Sequence, residues 1–172
     1  LSNAGAVTVC LRAVSVAVVG LVLLACVGKA SAPHIGQTAR PDNRMPLASL
    51  PGGETTWAAQ DLKLHYRART VGDNLNISGF VELSPNMAKF PLINRFRVHA
   101  HFLNAEGVVL DTKLLWATGV KQETSFVRWT FEREWLLPPD SVALGFSYRG
   151  AASEAGGKGH QAKTGWEVYQ TP

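Results

Sequence analysis

The sequence predicts an all-β domain of two antiparallel sheets packed face to face, preceded by an export segment and an extended linker. Three observations predict it. From residue 61 onward apolar and polar residues alternate in short runs, the period of a half-buried strand and not of a helix. Turn-forming clusters such as Ser84-Pro85-Asn86, Asn104-Ala105-Glu106-Gly107 and Pro138-Pro139-Asp140 divide these runs. The long apolar stretch Ala13–Val27 lies wholly before the alternating region.

The chain of 172 residues is long enough for one domain of ordinary size. Its hydrophobic fraction of 46% is unevenly distributed, because Ala13–Val27 is almost wholly apolar. The formal net charge is +4, from 17 basic and 13 acidic residues. Removal of everything before Cys26 takes away only Arg12 and leaves +3. Such a balance lacks the dense Lys/Arg clustering of a nucleic-acid binder, so no nucleic-acid partner is expected. Both cysteines, Cys10 and Cys26, precede the domain. An exported body without cysteine is no disulfide scaffold and must stand on its hydrophobic core.

Residues 1–25 read as a signal peptide. Arg12 precedes about 14 apolar or small residues, fewer than the roughly 20 of a membrane span. The run ends in Leu23-Leu24-Ala25-Cys26, which resembles the lipobox of bacterial lipoproteins. The resemblance implies that the Cys26 thiol receives diacylglycerol and that a peptidase cuts in front of it. In the sorting rule of diderm lipoproteins an Asp after that cysteine favours the inner membrane, so Val27 leans toward the outer one. Two other readings stay open: secretory cleavage after Ala30 or Ala32, and an uncleaved anchor. All three place the chain in the cell envelope, and the first holds it, periplasm-facing, on a membrane it does not span.

Residues 26–53 then combine the lipid-attachment cysteine with a flexible linker. Pro33, Pro41, Pro46 and Pro51 recur there without sustained periodicity. The domain proper is expected over 54–172. Leu62, Leu64, Tyr66 and Ala68 alternate with Lys63, His65, Arg67 and Arg69. Leu75, Ile77, Gly79, Val81 and Leu83 form the next inward row. Phe96, Val98, Ala100 and Phe102 follow, interleaved with Arg95, Arg97, His99 and His101. A hairpin turn at 104–107 leads to a strand over 108–118. Val127, Trp129 and Phe131 share one face, then Val142, Leu144, Phe146 and Tyr148 share another. A glycine-rich loop at 150–165 precedes the last apolar stretch, 166–169. About seven short strands with turns between them point to an immunoglobulin-like antiparallel β-sandwich.

Leu75-Asn76-Ile77-Ser78-Gly79 and the stretch VHAHFLNAEGVVLDT at 98–112 resemble the small FxLyD-like sandwich domains found in many bacterial lipoproteins. A strand, an N-x-x-G turn at Asn104–Gly107 and a V-L-x-T strand at Val109–Thr112 occur in the order of those domains. The resemblance implies a fold and an envelope setting and brings no catalytic residues with it.

Charge supplies the candidate contacts. Lys63, His65, Arg67 and Arg69 form one outward row, and Arg95, Arg97, His99 and His101 a second, with no acid in either. On one sheet they would make a basic patch for an anionic partner: head groups, an acidic polymer or an acidic protein. On different sheets, or beside Glu82, Glu132 and Glu134, they would not. His99 and His101 share a face, but spacing fixes no third ligand, and His65 would have to come from a neighbouring strand. Solvent-facing polar positions are expected there and no metal site. No nucleophile motif, carboxylate pair, GxxxxGK[ST] or GxGxxG stands in the chain, so neither an enzyme nor a small-molecule cofactor is expected. Trp57, near the linker, is a candidate interface anchor. These readings converge on a non-catalytic accessory lipoprotein that docks onto a larger membrane or envelope assembly. A stand-alone module for an anionic ligand is the alternative.

Overall fold

A computed structural model describes residues 33–50, 52–87, 90, 92–118, 128–153 and 165–172, with the backbone alone at 92, 94, 95 and 165–169. The strands are β1 (Met45–Pro46), β2 (Thr55–Ala58), β3 (Leu62–Val71), β4 (Asn74–Leu83), β5 (Leu92–Leu103), β6 (Val109–Ala117), β7 (Trp129–Leu136), β8 (Ala143–Ser153) and β9 (Gly165–Gln170). The seven expected strands are β3 to β9. The signal segment, Cys26, residues 28–32 and Val127 lie outside the described residues, as does most of the glycine-rich loop.

All pairings are antiparallel. One sheet runs β2-β3-β4-β7, and the other runs β6-β5-β8, with β1 and β9 sharing the far edge of β8. With β1 and β2 set aside, β3-β4-β7 and β9-β8-β5-β6 reproduce the A-B-E and G-F-C-C′ orders of an immunoglobulin-like sandwich.

Alternation builds the core as expected. Leu62, Leu64, Tyr66 and Ala68 from β3, Leu75, Ile77 and Val81 from β4, and Phe96, Val98, Ala100 and Phe102 from β5 are all buried in one cluster with Leu144, Phe146 and Tyr148 of β8. Aromatic pairs join the two sheets. Tyr66 meets Phe146 edge-on at 5.2 Å, Trp116 stacks on Trp129 at 5.1 Å, and Phe102 meets Trp135 at 6.1 Å. Such pairs contribute about 1 kcal/mol each beyond the area they bury. Trp57 belongs to this core and is no surface anchor, since its ring packs on Phe146 and Tyr148. Gly79 stands opposite Tyr66, where a Cβ would overlap the His65 carbonyl. Val142, expected inward, is exposed because it precedes β8.

The stretch read as a linker differs most from expectation. Residues 33–50 form a strap packed on the second sheet, and the compact unit that holds the sandwich begins at Ala32. The strap first runs beside β6, where Thr38 bridges Val108 and the Gly36 amide donates to the Val109 carbonyl at 2.9 Å. Ala39 then packs with Leu103, Val109 and Ala143. At the opposite edge Asn43, 2% exposed, donates from its side-chain amide to the Phe146 carbonyl at 2.6 Å and accepts the Phe146 N–H at 3.2 Å. Its carboxamide thus stands in for a peptide group between the stretches of β8 paired with β1 and with β9. The Arg44 guanidinium donates twice to the Ala39 carbonyl, and Leu47 enters the core. Prolines erase periodicity, yet they leave carbonyls and side-chain amides free to bond.

Candidate functional site

The two cationic rows lie on different sheets, and so on opposite outer faces. On β3 the outward row is Lys63, His65, Arg67 and Arg69, as expected. Its neighbours compensate its charge. Lys63 pairs in register with Glu82, while Arg67 and Arg69 align through Ser78 and Asn76 with Glu132 and Glu134 of β7. His65 donates through Nε2 to Glu82 at 3.1 Å, its Nδ1 is hydrogen-bonded to the Thr56 hydroxyl, and its ring stacks on Phe80 at 4.6 Å. The Arg67 guanidinium lies 3.8 Å from the Glu54 carboxylate. A shallow hollow of about 560 Å³ opens between Arg67, Arg69, Asn76, Glu132 and Glu134. Its walls carry both signs of charge, so it does not select an anion. A single basic patch made of both rows is therefore absent from this fold.

The β5 row is less uniform than alternation suggests. Arg97 is exposed and His99 half-buried, while the Arg95 side chain lies outside the described residues. His101, expected to face solvent, is fully buried. It does point to the outer face, but the strap covers it. Pro33 lies beside Thr112, and the His34 ring stands edge-on to His101 at 5.3 Å.

The bonds around His101 set the tautomer of its neutral ring. Thr112 donates its one hydroxyl proton to the Pro33 carbonyl at 2.7 Å. Its oxygen therefore accepts from His101 Nδ1–H at 2.9 Å. Nε2 is left to accept the Ser147 hydroxyl at 2.7 Å. Burial, reinforced by His34 and His99, pushes the His101 pKa down to about 3. Burial likewise lowers that of His99, with His34 and Arg97 adding to the effect.

Ser147 and His101 thus have the contact of a nucleophile and its base. The third group, however, is a neutral hydroxyl, which does not stabilise an imidazolium as a carboxylate does. Ser147 itself is only 2% exposed. The arrangement holds the strap in place and leaves His101 a poor base. A metal site from His99, His101 and His65 is ruled out by geometry, since His65 is on the other sheet. Among the described residues no group of three His, Cys, Asp or Glu side chains is placed to hold a metal ion.

Beside His101 the outer face opens into a cleft of about 410 Å³, lined by Pro33, His34, His99, Ser147, Arg149 and Gln170 among others. Sequence reasoning missed His34, Thr112, Ser147 and Arg149. Thr112 and Ser147 do sit at register partners of His101 and His99, but those pairings are non-local. No family model matches the chain, and neither a curated protein nor a solved structure does.

Proposed function

We propose that the protein is a non-catalytic accessory lipoprotein of the bacterial envelope, held by a lipid on Cys26, whose sandwich docks onto a larger membrane or envelope assembly. The lipobox-like Leu23-Leu24-Ala25-Cys26 supports the anchor. The observation that carries the docking role is the strap. With residues 33–50 tied to the sandwich, only residues 27–32 separate the lipid-bearing cysteine from the fold. Seven residue steps span at most about 25 Å, so the domain works at the membrane surface, within reach of a membrane-embedded partner. His65 is bonded to Glu82, and His101 to two hydroxyls.

Gentle detergent extraction followed by sizing and mass spectrometry tests this reading. A complex with other envelope proteins is expected, together with a diacylglyceryl mass on the Cys26 peptide. A free monomer at every salt concentration would sink the docking role.

A further inference from the structure

We propose that residues 33–37 of the strap form an acid-operated latch, which opens when His101 takes up a proton and uncovers the outer face of the second sheet. The latch is independent of how the chain is anchored and of what the sandwich docks onto.

A hydrogen-bond chain runs beneath the strap. Neutral His101 donates through Nδ1–H to the Thr112 oxygen, and Thr112 passes its own proton to the Pro33 carbonyl. One hydroxyl thus joins the imidazole to the strap. Nε2 is already the acceptor of the Ser147 proton. A proton placed on Nε2 sets two donors against each other, and Ser147 has to turn its O–H elsewhere.

The surroundings of the ring do not favour its charged form. The strap brings His34, and β5 brings His99 and Arg97, all cations in acid. On β8, Arg149 stands one outward position beyond Ser147 and has a partner of its own. On β6, the Asp111 carboxylate is tied to Lys113 at 2.8 Å and accepts the Thr112 N–H at 2.7 Å. Further along the strap Arg40 pairs with Asp42, and Arg44 donates to the Ala39 carbonyl. Water is kept from His101 by the strap itself. Burial first, then His34 and His99, pushes the His101 pKa down to about 3. Lifting the strap restores water and the ordinary value near 6.5.

The stretch over His101 is also lightly held. His34 has φ at 72°, a left-handed conformation uncommon for a residue with a Cβ. A bond from its Nδ1–H to the Gln37 side-chain oxygen and the edge-on contact with His101 keep it there. Backbone bonds to β6 run from the Gly36 N–H to the Val109 carbonyl and from the Val109 N–H to the Gln37 carbonyl. Beyond Thr38 the attachment is firmer: Ala39 is buried beside Leu103 and Val109, Asn43 is bonded to Phe146, and Leu47 enters the core. Thr38 is therefore the hinge.

The test follows amide hydrogen exchange of the full chain in detergent micelles by NMR, between pH 6.5 and 4.5. One proton taken up on opening should lower the protection factors of Gly36 and Val109 about fiftyfold over this range. Exchange at both should ignore low concentrations of urea, as local opening does, whereas Val81 of the first sheet follows global unfolding. His101→Gln keeps a donor and an acceptor without a titrating ring and should abolish the pH dependence, while His34→Gln should retain most of it. Thr112→Val cuts the link to Pro33 and should lower Gly36 protection at pH 6.5 about tenfold. A flat parental profile would overturn the latch, as would an equal slope in His101→Gln or unchanged protection in Thr112→Val. Gly36 protection equal to that of Val81 at every pH would overturn it as well, because the strap would then open only when the whole domain unfolds.

Discussion

His65 and His101 occupy nearly equivalent places in the sequence, each at an outward strand position in a row with two arginines. In the fold they part company. His65 is half-buried on the outer face of the first sheet, between the Thr56 hydroxyl and the Glu82 carboxylate. His101 lies on the outer face of the second sheet yet is sealed from water by the strap, with both ring nitrogens bonded to hydroxyls. Strand alternation decides which face a side chain takes. A third element decides whether that face is wet.

The largest way to break this comparison is truncation. His101→Ala should cost about 3 kcal/mol in urea unfolding, from a lost buried ring and a Ser147 hydroxyl left without its partner. His65→Ala at the half-buried counterpart, which loses a stack on Phe80 and two hydrogen bonds within reach of water, should cost about 1 kcal/mol or less. Equal costs would mean that the strap does not seal the second face.

Acid gives the next effect. The folded pKa of His101 is lowered to about 3, so below the ordinary value near 6.5 the unfolded chain binds the proton more readily than the folded one. Stability falls as pH drops through that window, by about 2 kcal/mol between pH 6.5 and 4.5 for this residue alone. Carboxylates add their own dependence, so the informative measurement is the difference between parent and His101→Gln. The variant should show a flatter stability curve over that range, and identical slopes would contradict the burial of a neutral imidazole.

Asn43→Ala sharpens the role of the strap. Removing the carboxamide orphans the Phe146 N–H and carbonyl, and should cost about 1.5 kcal/mol. Hydrogen exchange at the Phe146 amide should accelerate while that of Val81, in the other sheet, stays at parental rates. The smallest effect belongs to the first face. Arg67→Gln leaves Glu54 without its exposed partner and should change stability by less than about 0.5 kcal/mol in the same urea assay.

Much of the fold was legible because strands announce themselves locally. Leu62 to Ala68 and Phe96 to Phe102 need only a period of two to be read as inward rows. Sheet membership was not legible. Nothing near Arg67 or Arg97 says that β4 goes on to pair with β7 while β5 pairs with β8, because those partnerships join distant stretches of chain. The strap was invisible for a different reason. Its bonds come from Asn43, Arg44 and isolated backbone groups, which leave no periodic trace, and its prolines imitate a linker. His34 and Thr112 were unreadable for the same reason, since their meeting with His101 depends on where the strap lands.

The far edge of β8 is a mosaic of three pieces, with β1 at one end, the Asn43 carboxamide in the middle and β9 at the other. A strand arriving from another molecule needs an uninterrupted row of amide and carbonyl groups to zip onto. Here it would have to evict three independently fastened segments at once, two of them part of the strap. The Pro-rich stretch then acts as a lock against strand exchange between molecules.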